Sequence, residues 1–458
     1  MDYSSDARNP HNWPAWKKIY HTLIPCLLSF LITLSTSVGE PATNIMVVHF
    51  SISRTVAILP LTLYTLGLAF GPLFVAPLSE VLGRRWVYTI SSSCLLAFAG
   101  GAAAAQSFAT HLICRFFSGF LGSAAIAMGA GTLVDIWALG KHGGIAGLFF
   151  ILGPFLGPTL GPIIVAYILG DHNNDWRWTQ YIVLMIGAPI WLGTILMKET
   201  CKASLTRTPG QKLTWNTFTT VLVQFSLVRP LRMLFMEAIV LSLTICTGFA
   251  YAMTFSYFES ATYVLQLNYG FDMKQVGLEF ISVVIGYLLA AFFFGLFDKL
   301  FYARTLKAAN GEMPAPEHRL YFALMGSILL PAGLFWYAWE AHPGGHWAAL
   351  IAAGIPFGRG AFSLFLSAIT YMSDVYQAGA VASALAANGT FRYSLGATFP
   401  LFTLQMYKKL GTHWASSLFA FISLLLLPIP WLLFRYGHVL RAKSHFPTST
   451  AGRAKFFG

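Results

Sequence analysis

The sequence predicts an all-α membrane protein with twelve transmembrane helices in two six-helix bundles. Of its 458 residues, 56% are hydrophobic and only 10% are charged, whereas a soluble domain carries about 25% charged residues. A helix that spans a bilayer needs about 20 mostly apolar residues. Twelve such runs are present, at 19–39, 55–77, 87–107, 109–134, 143–169, 178–197, 233–258, 273–297, 319–340, 346–372, 379–406 and 412–435.

The basic residues predict the orientation of these helices. If the runs alternate across the bilayer, 21 of the 29 Lys and Arg residues fall on one side, five on the other and three within the runs. Cytoplasmic loops are enriched in Lys and Arg, so both termini are expected in the cytoplasm. The net charge of +12 is therefore explained by topology, and no nucleic-acid partner is expected.

The longest polar stretch between runs divides the chain into two halves. The expected parts are an N-terminal tail (1–18), a first bundle (19–197), a cytoplasmic linker (198–232), a second bundle (233–435) and a C-terminal tail (436–458). VDIWALGKHGGIAGLFF (134–150) and SDVYQAGAVASALAANG (373–389) echo each other at equivalent points of the two halves. Duplicated halves around a midplane site are typical of transporters, although chance in an apolar sequence also explains such an echo.

Gly-Pro occurs three times at a spacing of four in ILGPFLGPTLGPII, residues 151–164, within the fifth run. Each proline removes a helix hydrogen bond and bends the helix. The glycines form a neighbouring stripe without side chains, which lets another helix approach closely. A helix that bends only to fit its neighbours is the alternative. The prolines are Pro154, Pro158 and Pro162, and the glycines are Gly153, Gly157 and Gly161.

The loop APLSEVLGRRWV, residues 76–87, has the pattern of a constrained charged turn. Gly83 suits a tight turn; Glu80 precedes it, and Arg84 and Arg85 open the next helix. Such a turn can hold an acid and a guanidinium in a charge-assisted pair. Asp135, at the cytoplasmic end of the fourth run, is a candidate third member.

This loop resembles the signature of the major facilitator superfamily, usually Gly-x-Leu-Ala-Asp-Arg-x-Gly-Arg-Lys, with Ala76, Glu80 and Val81 at three of its positions. The form GPL..APLSE..GRR is similar to the fungal drug:proton antiporter branch, which includes polyamine and multidrug exporters. Similar strings cover nearly the whole chain: NPHNW (9–13), RFFSGFLGSA (115–124), WRW (176–178), YGF (269–271), ASALAAN (382–388) and FPLF (399–402).

The resemblance implies roles for these motifs. Glu80 and Arg84 would form a cytoplasmic latch with Asp135, which the absence of a basic residue at Val81 would weaken. GPxxGPxxG resembles the antiporter motif that is thought to seal the site during rocking and to limit proton leak. Arg115 matches an arginine of the fourth helix that is implicated in proton coupling; a structural ion pair is the alternative.

Charges within the runs also need an explanation, because each costs about 2.5 to 3.5 kcal/mol and usually meets a partner or a cavity. Arg392 matches the fungal pattern. Arg359 departs from it and either binds an acidic group of a substrate, neutralises Glu279 or Glu259, or snorkels outward.

A buried carboxyl can take up and release protons, and four acids are candidates. Glu259 matches a family glutamate late in the seventh helix, near aromatic rings that can stack on an organic cation; an interfacial residue in contact with water is the alternative. The acids are Glu40, Glu237, Glu259 and Glu279, and the aromatic residues are Tyr251, Phe255 and Tyr257.

The sequence thus predicts a proton-coupled antiporter that exports a small organic molecule (drug, polyamine or secondary metabolite) by alternating access. Proton symport for uptake and a non-transporting membrane sensor are alternatives. We expect a monomer in the plasma membrane rather than the vacuolar membrane, with no enzymatic activity, cofactor or metal. The expected coupling residues are Arg115, Glu259 and Glu40, and the expected substrate cavity comprises Arg359, Arg392, Tyr251, Phe255, Tyr257 and Glu279.

Overall fold

The computed structural model describes residue 6 and residues 8–137, 141–205, 227–297, 300, 315–342 and 344–448. Most of the predicted linker 198–232 and parts of both predicted tails therefore lie outside the described residues, as do the side chains of Glu80 and Val81. Within the described ranges the chain is helical, and its β-type pairing is an isolated bridge between Tyr376 and Thr448.

The chain forms two compact units, Met1–Val228 and Arg229–Gly458. The first unit has a 3-10 helix at Pro10–Asn12. Its α-helices are α1 (Ala15–Ser37), α2 (Thr43–Phe50), α3 (Arg54–Ala57), α4 (Leu59–Leu82), α5 (Arg84–Ala103), α6 (Phe108–Gly122), α7 (Ala124–Ile136), α8 (Lys141–Asp171), α9 (Trp178–Leu196) and α10 (Lys202–Leu205).

The second unit has a 3-10 helix at Pro316–Leu320, directly before α14. Its α-helices are α11 (Arg229–Met236), α12 (Ala238–Tyr269), α13 (Met273–Phe297), α14 (Tyr321–Glu340), α15 (Trp347–Ala352), α16 (Gly354–Val375), α17 (Ala378–Leu426) and α18 (Pro428–Ala442).

Eleven helical stretches of the described chain are long and apolar enough to cross a membrane. The prediction from the sequence was twelve. The difference lies in the last stretch, Ala380–Ala442, which contains both of the last two predicted runs. Gly411, between those runs, has non-helical backbone angles of φ 78° and ψ 164°, a conformation that glycine adopts readily because it lacks a Cβ.

The predicted fourth run is divided into α6 and α7 at Ser123. The Ser123 hydroxyl donates to the Phe120 carbonyl at 2.9 Å, and such local back-bonding competes with the regular helix ladder. At the start of α6, the Ser107 side chain accepts from Thr110 N, which is the usual serine N-cap. These local bonds position Arg115 of α6 and Asp135 of α7.

The seventh helix differs most from its predicted bounds. The run predicted at 233–258 breaks at Glu237, and α12 continues to Tyr269, where Gly270 adopts φ 67°. Glu259 therefore belongs to the middle part of α12 and not to its end, and its side chain is 1% exposed. The interpretation of Glu259 as a water-exposed interfacial residue is therefore wrong, because the helix extends well beyond the predicted run.

Each unit has its own helix packing. In the first unit, α1 packs on α8, α4 on α6, and α5 on α6 and α9. In the second unit, α12 packs on α17, and α16 lies against both α13 and α14. These contacts bring the intramembrane charged residues of each unit against neighbouring helices.

Candidate functional site

The start of α5 carries an ion pair with the end of α7. Arg84 Nη2 lies 3.1 Å from Asp135 Oδ2, and Arg84 Nη1 donates to the Thr132 hydroxyl at 3.2 Å. A Cβ on Gly131 would lie 2.6 Å from Arg84 Nη1, so this glycine leaves room for the guanidinium. Gly83 has φ 88°, which lets the chain turn sharply into α5. The structure thus brings Arg84 and Asp135 together.

Glu199 is part of the same arrangement, although the sequence did not predict it. Its Oε1 accepts from Arg84 N at 2.9 Å, and its Oε2 accepts from Arg85 N at 3.2 Å. A carboxylate at a helix N-terminus satisfies free amide groups and is favoured by the helix dipole. The sequence signal for this role was an acid just after the sixth apolar run. The residues that Glu199 contacts, Arg84 and Arg85, lie far away in the sequence.

The second unit contains a similar arrangement. Arg319, in the 3-10 helix before α14, places its Nε 2.8 Å from Asp374 Oδ2. Arg441 of α18 lies 2.8 Å from Glu317 Oε1, and both side chains are almost fully buried. Asp374 belongs to the segment that echoes the one around Asp135, so the sequence echo coincides with a repeated ion pair.

The Gly-Pro helix α8 packs closely on α1. A Cβ on Gly157 would lie 2.6 Å from Leu34 N and 2.7 Å from Phe30 O, which is closer than a real Cβ contact. A Cβ on Gly153 would lie at an ordinary 3.4 Å from Cys26 O. The glycine stripe therefore permits close backbone contact, most strictly at Gly157.

The prolines and α1 are also joined by hydrogen bonds. Pro162 has no N–H to donate to the carbonyl four residues earlier, Pro158. Ser37 of α1 donates to that carbonyl at 2.6 Å, and Thr33 donates to the Gly153 carbonyl at 3.3 Å. Hydroxyl groups of α1 thus donate to backbone carbonyls of the proline-containing helix, as occurs in membrane helices that contain proline.

Arg115 of α6 is 1% exposed and is held by neutral groups. Its Nη1 donates to Ser35 Oγ at 3.0 Å and its Nη2 donates to Ser35 O at 2.6 Å. Its Cζ lies 4.3 Å from the centroid of the Tyr64 ring. It forms no ion pair with any described residue, so the structural ion pair considered from the sequence is not observed there. Glu40 is buried in the turn after α1.

Arg392 of α17 is buried within a cage of aromatic rings. Its Cζ lies 4.5 Å from the ring of Tyr251, 4.7 Å from that of Phe365 and 4.2 Å from that of Tyr393. Phe255 packs against Tyr251 with ring centroids 5.2 Å apart. Cation–π contacts hold this arginine, which forms no ion pair with the described residues.

Glu279 of α13 is fully buried and accepts a hydrogen bond from the Tyr257 hydroxyl at 2.8 Å. Tyr257 also stacks on Phe357, with ring centroids 5.3 Å apart. The three predicted aromatic residues are therefore divided: Tyr251 lies beside Arg392 with Phe255 packed on Tyr251, and Tyr257 lies beside a carboxyl.

Arg359 makes its contacts away from the two groups just described. Its Nη2 lies 3.6 Å from Met325 Sδ, and its Cζ lies 4.4 Å from the centroid of the Phe293 ring. Among the described residues it forms no ion pair, so the alternative in which it pairs with Glu279 or Glu259 is not observed. Its side chain extends between α13 and α14 instead of toward those acids.

Glu237 holds the segment that follows α18. Its Oε2 accepts from the Tyr376 hydroxyl at 3.0 Å and from the Ser444 hydroxyl at 2.8 Å. Its Oε1 accepts from His445 N at 2.9 Å. This candidate acid thus connects the start of α12 to the C-terminal segment.

Comparison with known proteins identifies relatives along nearly the whole chain. The family model described as Major Facilitator Superfamily matches residues 26–400. Polyamine transporter 4 of Saccharomyces cerevisiae is 34% identical over 97% of this chain and 72% of its own length. MFS-type efflux pump MFS2 of Trichophyton rubrum is 36% identical over 99% of this chain and 77% of its own length.

A multidrug transporter and a solved structure are also similar to the chain. The major facilitator superfamily multidrug transporter mdrA of Aspergillus fumigatus is 34% identical over 96% of this chain and 74% of its own length. The crystal structure of the human organic anion transporter MFSD10 (TETRAN) superposes with a TM-score of 0.61, covering 91% of this chain and 100% of the other at 16% identity. At that identity, the similarity concerns the fold.

Proposed function

The chain belongs to the Major Facilitator Superfamily, and from that premise we propose that it is a proton-coupled antiporter that exports a small organic molecule by alternating access. It is a multi-pass membrane transporter with efflux-pump homologues. Carriers of this family generally catalyse no covalent chemistry, and the proposed cycle requires none. The export direction is supported by these homologues and by the Gly-Pro helix.

The proposed topology has twelve crossings, six in each unit. The non-helical Gly411 supports two crossings within the long stretch Ala380–Ala442. The excess of basic residues on one side supports cytoplasmic termini. We place the carrier in the plasma membrane as a monomer.

The observation that carries the proton-coupling proposal is the environment of Arg115. A buried guanidinium, held by the Ser35 carbonyl and hydroxyl and without an ion pair among the described residues, keeps a positive charge near the end of α1. Glu40 follows Ser35 by five residues and lies in the turn directly after α1. Movement of α1 relative to Arg115 therefore changes the electrostatic environment in which a carboxyl gains or loses a proton. We assign Arg115, Glu40 and Glu259 to coupling.

The proposed substrate site lies in the second unit, around Arg392 and Glu279. Aromatic faces accept both apolar groups and organic cations, and the rings of Tyr251, Phe255 and Tyr257 are available on α12. The buried Glu279 carboxyl and the Arg392 guanidinium provide opposite charges at separate positions. This arrangement supports small organic substrates such as drugs, polyamines or secondary metabolites.

The ion pairs Arg84–Asp135 and Arg319–Asp374 and the Gly-Pro helix form the proposed gates. Arg84 and Asp135, with Arg85, Gly83 and Glu80, would close the cytoplasmic side by holding helix ends together. Contact between α8 and α1 would limit proton leak while the helices rock, through the close approach at Gly157.

The test is proton flux in reconstituted vesicles that contain a pH-sensitive dye. Vesicles with wild-type protein, Arg115→Ala or Arg177→Ala are challenged with cationic, neutral and acidic compounds. Arg177 is the control because it pairs with Asp175 in a partly exposed loop. We expect substrate to trigger proton movement in the opposite direction in wild type and Arg177→Ala, with loss in Arg115→Ala.

The alternatives predict different results. Protons and substrate that move in the same direction would establish symport and exclude the antiport proposal. Absence of any flux, combined with compound binding in a thermal-shift assay, would favour a sensor on the same fold.

A further inference from the structure

The backbone around Arg359 lies where α13, α14 and α16 pack closely together. A Cβ on Gly286 of α13 would lie 2.8 Å from Arg359 N, and a Cβ on Gly360 of α16 would lie 2.5 Å from Leu330 N of α14. These glycines let both flanking helices approach α16. The start of the Arg359 side chain is therefore enclosed between α13 and α14.

The guanidinium of Arg359 contacts α13 and α14 at residues different from those that contact its backbone. Phe293, which it contacts, follows Gly286 by seven residues on α13. Met325, its other contact, precedes Leu330 by five residues on α14. At 1.5 Å per residue, these contact residues lie roughly 8–10 Å along their helices from the close backbone contacts, so the side chain extends toward the side where α13 ends and α14 begins. Under the proposed topology, this is the cytoplasmic side.

The two helices that flank the Arg359 side chain, α13 and α14, both carry exposed apolar side chains. Exposed large side chains are found on both helices: Ile285, Leu288 and Phe292 on α13, and Tyr321, Ile328 and Trp336 on α14. In a membrane protein such faces contact lipid tails. Phe297 follows Phe293 by four residues, and Tyr321 precedes Met325 by four residues. The rings of Phe297 and Tyr321 pack together, with centroids 5.8 Å apart, and tyrosine is enriched at the membrane interface.

Among the described residues, Arg359 has no anionic partner. Within the same ranges its Nε is buried without a hydrogen-bond partner, and its guanidinium contacts a thioether and an aromatic ring. An arginine in a transmembrane helix is costly and usually meets a partner. An anion that reaches this arginine from the bilayer would supply that partner.

We propose that Arg359 binds the phosphate of an anionic phospholipid whose acyl chains lie along the exposed faces of α13 and α14. Basic pockets between transmembrane helices on the cytoplasmic side bind anionic headgroups. Roughly one helical turn separates the guanidinium from the Phe297–Tyr321 layer, so a headgroup at the interface is within reach of the arginine fork. The site lies outside the proposed substrate site and does not depend on the transport cycle.

The test is native mass spectrometry of the purified full chain in neutral detergent with dioleoyl phosphatidylglycerol or dioleoyl phosphatidylcholine. Wild type is expected to bind a first phosphatidylglycerol about tenfold more tightly than phosphatidylcholine, and Arg359→Met to lose about that factor, as for a charge-assisted hydrogen bond. Arg359→Lys should retain part of the preference. Arg435→Met, at an exposed arginine of α18, is the matched control and should bind as wild type.

Each of the following results would overturn the proposal. Equal binding of the two lipids to wild type, or unchanged binding to Arg359→Met, excludes a phosphate site at this arginine. An equal loss in Arg435→Met indicates general surface charge. If Arg359→Met binds lipid normally but loses proton flux triggered by acidic compounds, the arginine recognises substrate. If Arg359→Met does not fold, the lipid preference of the wild type and that of Arg359→Lys still test the proposal.

Discussion

Arg319 and Asp374 form an ion pair at 2.8 Å in the second unit, as Arg84 and Asp135 do at 3.1 Å in the first. In each unit the arginine stands at the start of one helix and the acid near the end of another. The acids also occupy equivalent positions in the two echoing sequence segments. The repeated pair therefore indicates a duplicated structural element.

We expect Asp374→Asn to reduce transport severalfold while it changes stability little. The Arg319 and Asp374 side chains are 19% and 24% exposed, and such partly exposed pairs contribute about 1 kcal/mol or less. Vesicle flux and thermal unfolding measure the two effects. The double variant Arg319→Asp/Asp374→Arg should recover part of the flux. Transport at the wild-type rate in Asp374→Asn would argue against a gating role.

Gly157→Ala is expected to destabilise the protein by about 1–3 kcal/mol, because the new methyl group would overlap the backbone of α1. Gly153→Ala and Gly147→Ala are the controls: the first has ordinary contacts, and the second has nothing within 4 Å. Alanine favours a helix over glycine by roughly 0.5–1 kcal/mol, so both controls should be neutral or slightly stabilising. Equal thermal unfolding of all three variants would contradict the close-packing argument.

Glu279→Gln should fold and bind organic cations about tenfold more weakly, as for the loss of an interaction with a charged group. Glutamine retains a carbonyl oxygen that can accept the hydrogen bond from Tyr257, but it lacks the negative charge of the carboxylate. Tyr257→Phe is the companion variant, which removes the donor and leaves the carboxyl. The measurement is binding of cationic and neutral compounds to the two variants and to the wild type. Wild-type affinity for organic cations in Glu279→Gln would exclude this carboxyl from the proposed substrate site.

Glu237→Ala should release the segment that follows α18. This variant removes three hydrogen-bond acceptor contacts, to Tyr376, Ser444 and His445, so trypsin should cleave after the exposed Lys443 about tenfold faster. Tyr376→Phe removes a single contact and should give a smaller increase. Mass spectrometry of the released C-terminal peptide measures the rates. Equal cleavage of wild type and Glu237→Ala would show that this carboxylate does not hold the segment.

The environment of Tyr376 predicts that its contribution to stability decreases at alkaline pH. Burial and the neighbouring Glu237 carboxylate raise the pKa of Tyr376 above its usual value. The phenol therefore stays protonated in the folded protein, and its stabilising contribution is complete below pH of about 10 and decreases above it, where unfolded tyrosine ionises. The stability difference between wild type and Tyr376→Phe should narrow above that pH in chemical unfolding. A constant difference up to pH of about 11 would contradict the raised pKa.

The helices could be predicted because their signal is local. Unpaired backbone groups are excluded from lipid, so each long apolar run predicts a helix without knowledge of its neighbours. The bounds were less accurate where a polar residue lies within a helix, as at Glu259, or where a glycine interrupts an apolar stretch, as at Gly411.

The partners of the site residues were predicted less well. The loop motif indicated Arg84 and Asp135, but nothing nearby in the sequence indicated Glu199, which caps the same helix from the end of the sixth run. The glycine stripe of α8 predicted a close helix contact without identifying α1. The direction of Arg359 and the cage around Arg392 depend on how helices are rotated against each other.

The sequence by itself determined the membrane class, the helical secondary structure, the family resemblance and the duplicated motif, because apolar length, charge distribution and motif order can be read along the chain. The tertiary structure alone decided which carbonyl Ser37 satisfies, which rings surround Arg392 and toward which side Arg359 extends. These contacts join residues distant in sequence, and the rotation and close packing of helices determine which side chains meet.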